Sequence, residues 1–159
     1  MKPARKRILP VKKVVRKSGR GTQYAALCYR VRKGKSYEIL LVTSRGAGRW
    51  IPPKGWPMKG LSPEETAATE ALEEAGVKGR VHGVSLGRYK YTRTPDESRK
   101  ISAEAYVFPL EVRGFAKTFK EKGQRQIKWF SPKKAAMVVR EPKLKKIIRD
   151  FDPRHLKSA

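Results

Sequence analysis

The sequence predicts a single mixed α/β domain, and three observations carry that prediction. Strand-like apolar runs stand on both sides of a helix that has a complete start signal. A second helix-start signal follows the last of these runs, and no internal repeat divides the chain. A length of 159 residues is enough for one domain with a sizeable core.

Taken in order, Gln23–Arg32 and Tyr37–Ser44 read as two strands joined by the turn Lys33-Gly34-Lys35-Ser36. Trp50-Ile51 begins a short strand before the rigid Pro52-Pro53. Ser62-Pro63-Glu64-Glu65 then supplies an N-cap, a proline at the first helical position and a glutamate that closes a capping box. Ala68, Ala71, Leu72 and Ala75 form the expected apolar face of this helix, and Gly76 is its stop. Val81–Thr94 and Ile101–Val112 are expected to pair as a second hairpin, with Thr94–Lys100 as its loop. Ile127–Phe130 adds a strand, Ser131-Pro132 starts another helix, and Leu144, Ile147, Ile148 and Phe151 mark an amphipathic C-terminal helix.

Charge is distributed unevenly over these elements. The chain carries 39 Lys and Arg against 14 Asp and Glu, a net charge of +25. Yet Glu64, Glu65, Glu70, Glu73 and Glu74 all fall on the first helix. Glu64 and Glu65 are explained by the helix dipole, which favours anions at the N-terminus. Glu70, Glu73 and Glu74 are not, because they lie in the second half and repel one another on one side. They form either a solvated acidic face or a site for a hard cation such as Mg²⁺, which prefers carboxylate oxygens.

The segment "GWPMKGLSPEETAATEALEEAGV", residues 55–77, resembles the Nudix box, a glycine followed at fixed spacings by a glutamate, an arginine and three further glutamates. Gly55, Glu70, Ala71, Glu73, Glu74, Gly76 and Val77 match. Leu61 stands where the family has glutamate and Thr69 where it has arginine. "QYAALCYRV", "YEILLVTSRGAGRWIPPKGW" and "GQRQIKWFSPKKAAMVV" resemble the diphosphoinositol polyphosphate and dinucleoside polyphosphate phosphohydrolase branch. The resemblance implies an α/β/α sandwich with a mixed sheet over residues 22–153, between a basic N-terminal tail (1–21) and a short C-terminal tail (154–159).

The resemblance also implies a reaction, Mg²⁺-dependent cleavage of a phosphoanhydride bond, with Mn²⁺ as an alternative metal. Expected substrates are dinucleoside polyphosphates, nucleoside diphosphate derivatives or diphosphoinositol polyphosphates. Glu70 and Glu74 would be the main metal ligands with the Gly55 carbonyl, and Glu73 the base or a further ligand. Arg45 and Lys54 are the expected phosphate contacts, with Arg125 a weaker one. The arginine missing at Thr69 would orient the glutamates by charge-assisted hydrogen bonds, so the alternative is a weakened Nudix-fold module that binds nucleic acid or polyphosphate. Lys59 is a candidate substitute for that arginine. Glu104 and Glu121 are further acids within reach of a metal. Trp56, inside the glycine-rich loop, is expected to pack first and to line the site second. Trp50 and Trp129 belong in the core, and His82 and His155 have no ligand-like partner.

The remaining features bound partners and location. Residues 1–22 hold nine basic residues and no acid, and read as a mobile tail that either only solvates the chain or is an arm that attracts phosphates, RNA or an acidic surface. No apolar run approaches the roughly 18 residues that cross a membrane, and no signal-peptide apolar region stands near the N-terminus. The lone Cys28 is expected to be a buried strand residue in a reducing, cytoplasmic compartment.

Overall fold

The computed structural model describes residues 21–96 and 99–156. The expected tail, residues 1–21, lies outside them except for Gly21, and so do residues 157–159 of the short C-terminal tail, 154–159. The strands are β1 (Thr22–Val31), β2 (Tyr37–Thr43), β3 (Trp50–Ile51), β4 (Lys54–Gly55), β5 (Val77–Val81), β6 (Gly87–Asp96), β7 (Arg99–Phe115) and β8 (Ile127–Phe130). The helices are α1 (Pro63–Ala75), α2 (Pro132–Val138) and α3 (Pro142–Asp150).

One mixed sheet organises these strands in the order β3-β2-β1-β7-β5, with β4 on β1, β6 on β7 and β8 on β2. β1 and β7 run parallel, and the other pairs are antiparallel. The period-two alternation of β1 divides its side chains between two cores. Ala25, Leu27 and Tyr29 join Ile39, Leu41, Ala105 and Val107 beneath α2 and α3, where Leu144, Ile147 and Ile148 close the layer. Tyr24, Ala26 and Cys28 join Leu40, Val42, Phe108 and Leu110 beneath α1. Burial on both faces explains why β1 reads as a continuous apolar run. The layers are therefore α1, the sheet, and α2 with α3, an α/β/α sandwich.

Three expectations shift. The stretch Val81–Thr94 is two elements, β5 ending at Val81 and β6 starting at Gly87. The second hairpin is longer than its loop chemistry implied, since β6 runs to Asp96 and β7 begins at Arg99. Pro95 is accommodated because the register shifts between Arg93 and Asp96. The buried stripe of α1 is Ala67, Ala71 and Ala75, whereas Leu72 is 39% exposed. Small residues at i, i+4 and i+8 let the helix approach the sheet closely.

Among the described residues no helix is long and apolar enough to cross a membrane. Trp50 packs edge-on against Phe130, and Trp129 meets Phe115 while Arg30 lies over its ring. His82 Nε2 is 3.3 Å from the Tyr29 hydroxyl, and His155 is exposed beside Asp152.

Candidate active site

α1 begins as its sequence requires. The Glu65 N–H donates to Ser62 Oγ (3.2 Å), and the Ser62 N–H donates back to Glu65 Oε1 (2.9 Å). At the other end Gly76 adopts φ 71°, and its N–H reaches the carbonyls of Ala71 and Leu72. This fixed helix lies over the start of β1, which pairs with β4 through Tyr24 and Gly55. Glu70 then crosses directly over Gly55: a Cβ built there would stand 2.0 Å from Glu70 Oε2. Glycine is required at position 55 because the carboxylate occupies that space.

Glu70 and Glu74 form the centre of the acidic half. Burial raises both titrations, pushing Glu74 up to about 8, and each carboxyl acts on the other. Arg125 works against that rise at Glu74, while Glu70 and Glu121 add to it. Glu74 is 4% exposed, and its Oε1 has no hydrogen-bond partner. Glu73 is more open, with Lys120 Nζ 3.9 Å from its Oε1. Among the described residues no three His, Cys, Asp or Glu side chains stand ready-arranged around a metal ion. The donor chemistry nevertheless fits a hard cation: two adjoining carboxyls, one carrying an unpartnered buried oxygen, need a positive charge or a proton between them.

A cavity of about 780 Å³ opens over these groups, and Glu70, Glu73, Glu74 and Glu121 line it opposite Arg45, Lys54, Trp56 and Arg93. Lys54 extends toward the α2–α3 side of the sheet, its Nζ 4.8 Å from the Tyr91 ring centroid. Burial lowers the titration of its ammonium, and the charges of Glu74 and Glu141 partly restore it. Arg45 reaches Gln124 Oε1 at 3.0 Å on the exposed rim. Arg93 stacks 4.7 Å above Trp56, which is 40% exposed and lies against Gly21. Trp56 thus both packs and lines the cavity.

The fold brings Glu70, Glu73, Glu74, Gly55, Arg45, Lys54 and Arg125 to one cavity. It adds Glu121 and leaves out Glu104, which instead sits 3.9 Å from Arg88. Lys59 does not line the cavity, so it supplies no cation there. Thr69 gives the acids nothing, because its hydroxyl donates to the Glu65 carbonyl of its own helix (2.9 Å). The sequence reading missed Arg93, since its position on β6 carries no motif. Cys28 is fully buried on β1, and burial pushes its thiol upward, which makes it inert.

Comparison with known proteins agrees with this geometry. The model of the NUDIX domain matches residues 21–153. "Nudix hydrolase 21, chloroplastic" of Arabidopsis thaliana is 31% identical over 127 residues, 77% of this chain and 62% of that protein. Human "Diphosphoinositol polyphosphate phosphohydrolase 3-alpha" is 32% identical over 126 residues, 75% of this chain and 70% of that protein. The chain thus spans under two thirds of the length of the Arabidopsis relative. The fold is shared with the binary complex of Caenorhabditis elegans Ap4A hydrolase (TM-score 0.59, 20% identity, covering 81% of this chain and 93% of that one). It is shared equally with a NUDIX hydrolase from Nitrosomonas europaea (TM-score 0.59, 21% identity, 87% and 97%). With the domain model matched over residues 21–153 and a relative 32% identical over 75% of this chain, the chain belongs to the Nudix family.

Proposed function

We propose that the chain is a divalent-metal-dependent pyrophosphohydrolase that cleaves a phosphoanhydride bond in a polyanionic substrate. The observation that carries this reading is the Glu70–Glu74 pair, with an unpartnered Glu74 oxygen, in a cavity that Arg45, Lys54, Arg93, Lys120 and Arg125 also line. Glu70 and Glu74, with the Gly55 carbonyl, would hold Mg²⁺ or Mn²⁺. When bound, the metal neutralises phosphate oxygens and acidifies a water.

Glu73, more open than Glu74, would take the proton from a water attacking phosphorus. The bridging oxygen leaves with the second phosphate. Arg45 and Lys54 hold the remaining phosphate oxygens, Arg45 as a fork and Lys54 as a compact charge. Burial of Lys54 strengthens its attraction for an anion. The relatives' names supply the substrate candidates: diphosphoinositol polyphosphates and Ap4A, with triphosphorylated RNA as a further polyanion. The net charge of +25 supports recruitment of such substrates, and of nucleic acid, through the surface and residues 1–21. The buried free Cys28 supports a reducing compartment, the cytoplasm in this proposal.

Phosphate release from these substrates, with and without Mg²⁺, tests the function. Glu70→Gln and Glu74→Gln are each expected to lower turnover at least about tenfold, 1.4 kcal/mol in the barrier. Wild-type rates in both would refute the assignment. Thr69 favours the second reading, a binding module without catalysis. That reading prevails if wild type releases no phosphate from any substrate yet binds polyanions.

A further inference from the structure

We propose that Arg125 is a positioning residue that orients the Glu74 carboxylate from outside α1. This role rests on the metal-site reading above. α1 itself contains no lysine or arginine, so nothing on the helix offsets Glu70, Glu73 and Glu74. The counter-charge comes from residues 116–126, which cross the C-terminal end of α1.

That segment is pinned at both ends. The Ala116 N–H donates to the Gly76 carbonyl (2.8 Å), and the Glu121 N–H donates to the Glu73 carbonyl (2.9 Å), one of the open acceptors of the last helical turn. The Phe119 ring lies so close to Gly76 that a Cβ there would stand 2.6 Å from it. At the far end the Thr43 N–H donates to the Gln126 carbonyl (3.0 Å), and the Gln126 N–H donates to Thr43 Oγ1 (2.9 Å).

Arg125 is rooted between these pins, and each nitrogen of its guanidinium is held. Nε and Nη2 each lie 2.9 Å from Glu121 Oε1, and Nη1 donates to the Thr43 carbonyl at 3.0 Å. Nη2 also stands 3.8 Å from Glu74 Oε2. Its side chain is 9% exposed. Turning toward a substrate phosphate would break all of these contacts, so the expected phosphate role fits poorly. The geometry fits orientation instead. Arg125 faces one oxygen of Glu74 and leaves Oε1, the unpartnered one, free for a cation. It also stands between Glu74 and Glu121, keeping two like charges apart.

The sign of one measurement distinguishes this role from charge alone. A fixed positive charge beside a cation site opposes cation binding, so simple removal of the charge tightens binding. Loss of an orienting group weakens it. Mn²⁺ affinity of the full chain, read from the electron-spin-resonance signal of free Mn²⁺, is therefore compared in wild type, Arg125→Met, Arg125→Lys and Glu74→Gln. Arg125→Met is expected to bind Mn²⁺ at least about fivefold more weakly. Arg125→Lys keeps the charge but lacks the fork, and about threefold weaker binding is expected. Unchanged or tighter binding in Arg125→Met overturns the proposal. If that variant does not fold, the same result in Arg125→Lys overturns it. Unaltered binding in Glu74→Gln overturns the metal-site reading itself, whereas binding lost there but kept in Arg125→Met removes only the role of Arg125.

Discussion

Replacing Gly55 by alanine perturbs one atom at the centre of the acidic half. The new Cβ would stand 2.0 Å from Glu70 Oε2 and 2.1 Å from its carboxyl carbon. Ordinary contact begins near 3.4 Å, so the carboxylate must retreat by roughly 1.4 Å. The backbone at Gly55 does not take positive φ, so alanine is accommodated there without strain. Glu70, being only part-buried, can swing into the cavity at little cost to folding. Displacing a catalytic group by about 1 Å costs on the order of 100-fold in rate, about 2.7 kcal/mol of barrier. Gly55→Ala should therefore lose about 100-fold in kcat on the best substrate, with Tm within a few degrees of wild type. Gly114→Ala is the control, because an added Cβ there meets nothing within 4 Å. A Gly55→Ala enzyme within threefold of wild-type kcat would refute the argument that Glu70 works from this place.

The metal-free protein should lose stability as pH rises toward 8. The folded-state titration of Glu74 is raised to about 8 by burial, so its contribution is full below the ordinary carboxylate range and is lost as pH passes the raised value. Thermal melts between pH 5 and pH 9 are expected to show Tm falling by several degrees, with Mg²⁺ restoring progressively more of it at higher pH. A flat profile would contradict the raised titration of the buried Glu74. Deleting residues 1–20 removes nine basic residues and should leave turnover on a small substrate unchanged. RNA binding measured across salt concentrations should lose about 0.7 from its log–log slope for each phosphate contact removed, and an unchanged slope would show that the tail makes none.

How much of this was legible in the sequence depends on the range of each interaction. α1 was readable end to end because Ser62, Pro63, Glu65 and Gly76 act within one or two turns. β1 and β2 were readable because their apolar runs are buried on both faces. β4 was not, since two residues after Pro52-Pro53 carry no period and become a strand only by pairing with Tyr24 and Ala25. The break between β5 and β6 was hidden because Val84 and Leu86 keep a strand-like spacing inside it. The acids of the site shared one helix face and announced themselves. The commitment of Arg125 did not, because it depends on Thr43, 82 positions earlier, and on the path of residues 116–126 over α1.

The two residues of β4 have a consequence for how this protein can vary. Lys54 pairs with Ala25 on the α2–α3 side of the sheet, and Gly55 pairs with Tyr24 on the α1 side, where Glu70 enters. Successive strand positions face opposite ways, so β4 is the hinge between the cationic and anionic walls. Inserting or deleting a single residue between Ile51 and Gly55 would exchange them. The lysine would then be thrust into the carboxylates, and the glycine would leave a gap beside Tyr91. The rim at residues 46–48, between Arg45 and the Ser44–Arg49 contacts, is exposed and bears no such parity, so it tolerates changes of length. Changes in loop length that tune which polyanion is accepted are therefore confined to the rim, while the segment Ile51–Gly55 is held to a fixed count.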